Sequence, residues 1–260
     1  MKTRFTFAIS TMLFFLLLSA VSAPAHDMWI EVRDYTPAPG EEITMVLGYD
    51  HHLPAREFLP KEYLDEIYLL RPDGTRVEIK GYSDVEYKAG APLADKGSYL
   101  AVATQKGRFW TKTTEGYQSG KSKKDVKNVV SCTYSAKFAK AIVNIGAAAG
   151  SLLAKPLGHD LEIIPMADPA ALRNGDFLPL QVLFKGKPLA GADVVATYVG
   201  FSREKNTFAY ATKSAADGRA KIRIATPGAW LVAVHYKEDY PDPKECDEYS
   251  FAASLTFEIP

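Results

Sequence analysis

The sequence has only two cysteines in 260 residues, Cys132 and Cys246. That excludes a cysteine-rich zinc module and a dense disulfide scaffold. It also lacks net charge, with 31 Lys and Arg against 31 Asp and Glu. A nucleic-acid binder needs a basic surface to neutralise phosphates, so no nucleic-acid partner is expected. Beyond the first 25 residues no apolar run approaches the roughly 18–20 residues that a spanning helix needs. There is no G-x-S-x-G elbow, no H-E-x-x-H helix and no Walker-A loop, and no Ser or Asp stands at a telling spacing from a His. A repeat of fixed period is absent as well. What remains is a chain with 47% hydrophobic residues, ample for a packed core, and it is not expected to be an enzyme.

Residues 1–25 read as a secretion signal. Lys2 and Arg4 supply a positive n-region, Phe5 to Val21 an uncharged apolar stretch, and Ala23-Pro24-Ala25 a small-x-small cleavage site. No Cys lies near the cut, so neither a lipid anchor nor a stable membrane anchor is expected after cleavage. The expected location is the periplasm. Cleavage after Ala25 makes His26 the first residue. A free α-amine titrates near pH 8, about two units below lysine, so it gives up its proton to a metal at little cost. Amine and imidazole of an N-terminal His then chelate one ion together, which an internal His cannot do.

The rest of the chain reads as strands separated by Gly- and Pro-centred turns. Short strands are expected at Met28–Val32, Ile43–Tyr49, Glu66–Leu70, Thr75–Ile79 and Gly97–Thr104, with Pro72-Asp73-Gly74 turning a hairpin. A second unit begins near Leu161, with strands at Leu161–Pro165, Phe177–Phe184, Asp193–Gly200, Ala220–Ile224, Ala229–Tyr236 and Ser254–Ile259. Between them, Tyr134, Phe138, Ala141, Ile142 and Ile145 stand three and four apart, which predicts an amphipathic helix, with an extended edge segment as the alternative. The Lys-rich stretch 112–128 reads as a solvated loop before that helix, and the acidic segment 238–248 as a second solvated loop. The expected fold is all-β, with two β-sandwich domains joined by a short helical segment. A signal peptide at 1–25 precedes an N-terminal, immunoglobulin-like sandwich at 26–160 and a C-terminal sandwich at 161–260.

The stretch GKPLAGADVVAT, followed by DGRAKIRIATPGAWLVAVHY, resembles the small sandwich modules related to transthyretin and the carboxypeptidase regulatory domain. On a longer scale AHDMWIE, YTPAPGEEITMVLGYDHHLP, AKFAKAIVNIG, KPLGHDLEIIP and the closing ASLTFEI are similar, in order along the chain, to the DUF4198 family, also described as NikM-like or NikK-like. The resemblance implies an exported protein that binds nickel or cobalt and delivers it to the components of a membrane metal transporter, with no carbohydrate partner.

Five histidines follow the signal: His26, His51, His52, His159 and His235. Neutral imidazole is the usual protein ligand of divalent nickel, copper and zinc. His51 and His52 end a strand and His235 ends another, and loops at strand ends host sites in sandwiches. The candidate metal ligands are therefore His26, His51, His52 and His235, with Asp27, Asp50 or Glu57 as oxygen donors or supports. His159, in a turn, reads as structural. The alternatives are a copper protein with a histidine brace, either a carrier or a polysaccharide monooxygenase with Trp29, Tyr35 and Trp110 facing the sugar, and an adhesion or scaffold module that binds no metal. Cys132 and Cys246, an even count in an oxidising compartment, are expected to form a disulfide.

Overall fold

The fold is that of a computed structural model, which describes residues 26–90, 92–146 and 151–260. The signal segment expected at 1–25 lies outside the described residues. The chain is all-β, as read from the sequence. Its first half runs β1 (Asp27–Val32), β2 (Thr44–Asp50), β3 (Leu64–Leu70), β4 (Arg76–Gly81), β5 (Glu86–Ala89), β6 (Gly97–Thr113), β7 (Gly116–Ser119) and β8 (Val129–Ile145). The second half runs β9 (Leu161–Pro165), β10 (Phe177–Phe184), β11 (Lys187–Pro188), β12 (Asp193–Tyr198), β13 (Tyr210–Lys213), β14 (Arg219–Arg223), β15 (Gly228–Asp239) and β16 (Glu248–Ile259). The only helical pieces among the described residues are four single 3₁₀ turns.

One sheet orders its strands β1-β2-β5-β4-β3-β6-β8-β16-β15-β12-β13, with β7 added on β6, and a smaller sheet holds β11-β10-β14 with β9 on β10. The halves of the chain meet where β8 pairs with β16 in parallel, from Thr133↔Glu248 to Ala141↔Thr256. The central strands serve two cores, one on each face. On β6, Tyr99, Ala101 and Ala103 enter the core beneath β1 and β2. The alternate residues Leu100 and Val102 enter the core shared with β9, β10 and β14. Period-two alternation of side chains makes this possible without a residue left over.

The helix predicted around residues 134–145 is corrected. Val129–Ile145 is a 17-residue strand, and it lies between β6 and β16 rather than at an edge. A strand buried on both faces reads as a near-continuous apolar run, and such a run satisfies a 3.6-residue template by accident. The Lys-rich stretch precedes this strand, not a helix. Most of the stretch is exposed, as expected of a solvated segment, and two of its lysines tie it to the acidic segment: Lys123 bonds to Asp247, and Lys124 bonds to Asp242 at 2.8 Å and Glu245 at 3.2 Å. The two segments are thus held together by ion pairs of Lys123 and Lys124. Beside them Cys132 and Cys246 form the expected disulfide, a bond consistent with an exported protein.

Two devices fix the first strand, and with it the N-terminus. Hydroxyls of β16 satisfy carbonyls of β1: Ser254 Oγ donates to Met28 O at 2.7 Å and Thr256 Oγ1 to Ile30 O at 2.6 Å. In the second, Trp29 packs over Gly48, where any Cβ would stand 2.6 Å from the indole Cε2. Only glycine admits that approach. Trp29 Nε1 donates to Glu31 Oε1 at 2.8 Å, and the same oxygen accepts from Ala55 N at 2.6 Å. The indole and carboxylate together hold the 51–57 loop against β1.

Candidate metal centre

The antiparallel register of β1 and β2 sets Asp27 opposite Asp50 and Met28 opposite Tyr49. Continued by one residue, it brings His26 to the start of the loop that carries His51. The two imidazole centroids lie 4.5 Å apart. Tyr49 stacks on His26, with ring centroids 5.0 Å apart and planes inclined by 5°. The loop then returns antiparallel to β2, with Tyr49 N donating to Glu57 O at 2.9 Å. That turn places the Glu57 carboxylate 3.3 Å from His26 Nε2.

His51 Nδ1 is buried and has no hydrogen-bond partner among the described residues. Burial, then the nearby His26 ring, lowers the pKa of His51 below its usual value. The ring is therefore neutral at pH 7 and offers a lone pair, the form in which imidazole ligates metals. Asn206 N donates to the His51 carbonyl at 2.8 Å, which anchors this residue to the loop after β12. A small cavity of about 20 Å³, lined in part by Asp27, His51 and His52, lies beside it, room for about one water or ion.

The other candidate residues take different places. His52 turns its Nδ1 to the Pro54 carbonyl at 2.9 Å, and its Nε2 is buried without a partner. Of the doublet, His51 is the ring in contact with His26. His235, on β15, bonds through Nε2 to Asp27 Oδ1 at 2.6 Å. Burial of that ring works against its charge, but the hydrogen bond and charge of Asp27 outweigh it and raise the pKa. His235 therefore supports the chain at the residue next to His26 instead of contacting His26 itself. Asp50 is consumed by the loop backbone, since Oδ1 accepts from His51 N at 2.6 Å and Oδ2 from Arg56 N at 2.8 Å. His159 stacks on Phe138 at 5.1 Å, in a different part of the molecule.

Sequence reasoning missed Lys137. This residue of β8 is 2% exposed. Its Nζ donates to Ser135 Oγ at 3.2 Å and stands 5.3 Å from the Tyr49 ring centroid. Burial pushes its pKa down to about 8, against the opposing charge of Asp27. A lysine in a strand with helical apolar spacing carries no signal that its ammonium is buried.

Among the described residues no three His, Cys, Asp or Glu side chains are already gathered around one point as a metal would require. His26 does have the His51 ring and the Glu57 carboxylate beside it, and His51 Nδ1 is a donor atom without a partner. Imidazole and carboxylate are ligand types of divalent transition metals, so these groups fit such an ion by donor chemistry. An α-amine on His26 would add a nitrogen, and it exists only once the chain is cut before His26.

The Trp29–Tyr35–Trp110 surface considered for a sugar-facing enzyme does not form. Trp29 is 1% exposed and Tyr35 is 7% exposed, both inside the core.

A family model described as "Domain of unknown function (DUF4198)" matches residues 23–238. No curated protein matches the chain. Among solved structures, the chain is similar to the D0-D1 domain of intimin, at 13% identity over 89% of this chain and 97% of that one, with a TM-score of 0.24. It is similar to a Salmonella alpha-2-macroglobulin mutant at 12% identity over 91% of this chain and 15% of that one, with a TM-score of 0.26. For murine CEACAM1b the identity is 10% over 90% of this chain and 100% of that one, with a TM-score of 0.23. Scores this low support no comparison of sites.

Proposed function

From the premise that the chain belongs to the DUF4198 family, we propose that it is an exported, periplasmic protein that binds nickel or cobalt at its processed N-terminus and delivers the ion to a membrane uptake transporter. The observation that carries the binding site is the meeting of His26 with His51 at 4.5 Å and with the Glu57 carboxylate at 3.3 Å. The His26 amine and Nδ1, with His51 Nδ1, would hold the ion; Glu57 would orient the His26 ring through its far nitrogen, Nε2, while Asp27 and His235 fix the backbone beneath it. Hydrogen-bonded supports of this kind orient ligands and are worth about 10- to 100-fold in affinity. The His26 side chain is 37% exposed, so an ion held there remains within reach of a receiving protein. No catalytic step is required.

Three features support this reading. The first 25 residues have the pattern of a cleaved signal, and the disulfide suits an oxidising compartment. The choice of nickel or cobalt, and of a transporter as recipient, rests on the resemblance to NikM- and NikK-like proteins. Ligand types alone favour copper, which binds the same nitrogens more tightly. The second reading is therefore a copper protein with a histidine brace, favoured by the close pair of imidazoles.

The test is titration calorimetry of nickel, cobalt and copper on protein that begins at His26. The reading expects one ion per chain, and His51→Ala weakens it by about tenfold or more. Equal binding by the wild type and by His51→Ala would remove this site. Peroxide formation and sugar cleavage with copper and ascorbate would replace the carrier with a monooxygenase.

A further inference from the structure

Strand β8 carries two buried lysines, and only one of them has a carboxylate. Lys140 pairs with the buried carboxylate of Glu162. Lys137 is as deeply buried, at 2% exposed, and its hydrogen bond among the described residues goes to a neutral hydroxyl, Ser135 Oγ at 3.2 Å. On the reading of His26 as the metal site, we propose that the Lys137 ammonium is a fixed charge that holds down the affinity of that site for a divalent cation, so that the ion can be passed on.

The neighbouring strands give Lys137 no counter-charge. Its ladder partners are Gln105 on β6 and Ala252 on β16, an amide and a methyl. The opposing charge is that of Asp27, whose Oδ1 is already bonded to His235 at 2.6 Å. Burial pushes the Lys137 pKa down to about 8, so the group still carries its proton at pH 7. An ammonium buried without a carboxylate costs free energy, and an apolar side chain of similar size in its place is often stabilising. The lysine therefore works against the fold, and groups held at such a cost concentrate at functional sites.

Tyr49 sets how far this charge stands from the site. Lys137 Nζ lies 5.3 Å from the Tyr49 ring centroid, and the same ring stacks on His26 with centroids 5.0 Å apart. Laid end to end, those spans put the ammonium at most about 10 Å from the His26 ring centre. Burial also pushes the Tyr49 pKa up to about 12, so the phenol between them is neutral and cancels nothing. Over that distance, in surroundings between bulk water and protein interior, a unit charge repels a dication enough to weaken its binding about tenfold.

The centre then joins two opposed elements. Nitrogen donors at His26 and His51 decide which ions enter. The charge under Tyr49 acts on every cation in proportion to its own charge, whatever its ligand preference. Repulsion by a single charge is twice as large for a dication as for a monocation, which separates it from any change in the shape of the site.

The experiment compares the full mature protein, beginning at His26, with Lys137→Met, which keeps the length of the side chain without its charge. Lys137→Gln serves as a second neutral variant. Affinity for nickel(II) and for silver(I), both as nitrates, is measured by competition, release of nickel into excess chelator by stopped flow, and thermal unfolding of the metal-free proteins by circular dichroism. The neutral variants are expected to bind nickel about tenfold tighter and silver about threefold tighter. Nickel release is expected to slow, and Lys137→Met to unfold at the same temperature as the wild type or higher. If the wild type binds nickel and the variants bind it equally or more weakly, this role of Lys137 falls while the metal site stands. An equal gain for nickel and silver would also overturn it, as would a failure of both variants to fold. A wild type that takes up no nickel would remove the His26 site and this role together.

Discussion

Replacing both Cys132 and Cys246 by alanine removes a covalent tie whose native surroundings hold without it. The bond spans 114 positions of sequence. Its two ends are also joined by hydrogen bonds, Asp247 N to Cys132 O at 3.1 Å and Cys132 N to Asp247 Oδ2 at 2.8 Å. The parallel ladder of β8 and β16 begins at the next pair, Thr133↔Glu248. The folded state therefore keeps its geometry, and the effect falls on the unfolded chain, which gains the freedom of a long open loop. Loop-closure entropy for this span comes to about 4–5 kcal/mol at 25 °C. For a chain of this size that corresponds to a fall in melting temperature of about 10–15 °C. Guanidinium unfolding followed by tryptophan fluorescence measures it. The expected outcome is a lower midpoint with a steeper denaturant dependence, because the opened unfolded chain exposes more surface. A loss below about 1 kcal/mol, with an unchanged slope, would refute the argument that the bond acts through the unfolded state.

Two further substitutions test the packing. Lys140 and Glu162 form an ion pair that is almost wholly buried, and Glu162 also accepts from Leu157 N at 2.6 Å. Lys140→Met leaves that carboxylate buried without its cation and is expected to cost about 3–5 kcal/mol in chemical denaturation. His159 has a folded pKa below its unfolded value near 6.5, because burial disfavours its charge. The unfolded chain then takes up a proton that the folded chain refuses, so stability is lost as pH falls through about 6.5 towards the folded pKa. An NMR titration of the ring, with the same denaturation series on His159→Phe, checks this, and the variant is expected to show a flatter pH dependence between about 7 and 5.5.

Much of the strand content was legible because most strands carry ordinary signals. Phe177–Phe184, bounded by Gly175-Asp176 and by Lys185-Gly186, is a strand over those residues. The hairpin at Pro72-Asp73-Gly74 closes with Gly74 N bonded to Arg71 O at 2.8 Å. The long central strand was not legible, since Lys137 and Lys140 sit in it as buried residues, and nothing local distinguishes a buried lysine from a solvated one. The two-face use of β6 and β8 is likewise a tertiary fact. It depends on β1 folding back over β16, through hydroxyls of Ser254 and Thr256 more than 200 residues away in sequence. At the candidate centre, the importance of His26 follows from the cleavage pattern, and Glu57 was among the oxygen donors named. The choice of His51 over His52, and the diversion of His235 to Asp27, depend on how the 51–57 loop is held by Trp29 and Glu31. Loop conformations of that kind have no periodic signature.

The central claim is that the His26 α-amine is a metal donor, and a single added residue ahead of His26 tests it. The addition leaves His51 and Glu57 in place and turns the His26 amine into an amide, a far weaker donor because it must first lose its own proton. Nickel affinity is measured by competition against a chromophoric chelator, on protein beginning at His26 and on protein with one alanine before it, each start confirmed by mass. The account predicts that the added alanine weakens nickel binding by about 100-fold, a loss of roughly 2.7 kcal/mol, with the fold unchanged by circular dichroism. Equal affinity in the two proteins would contradict it.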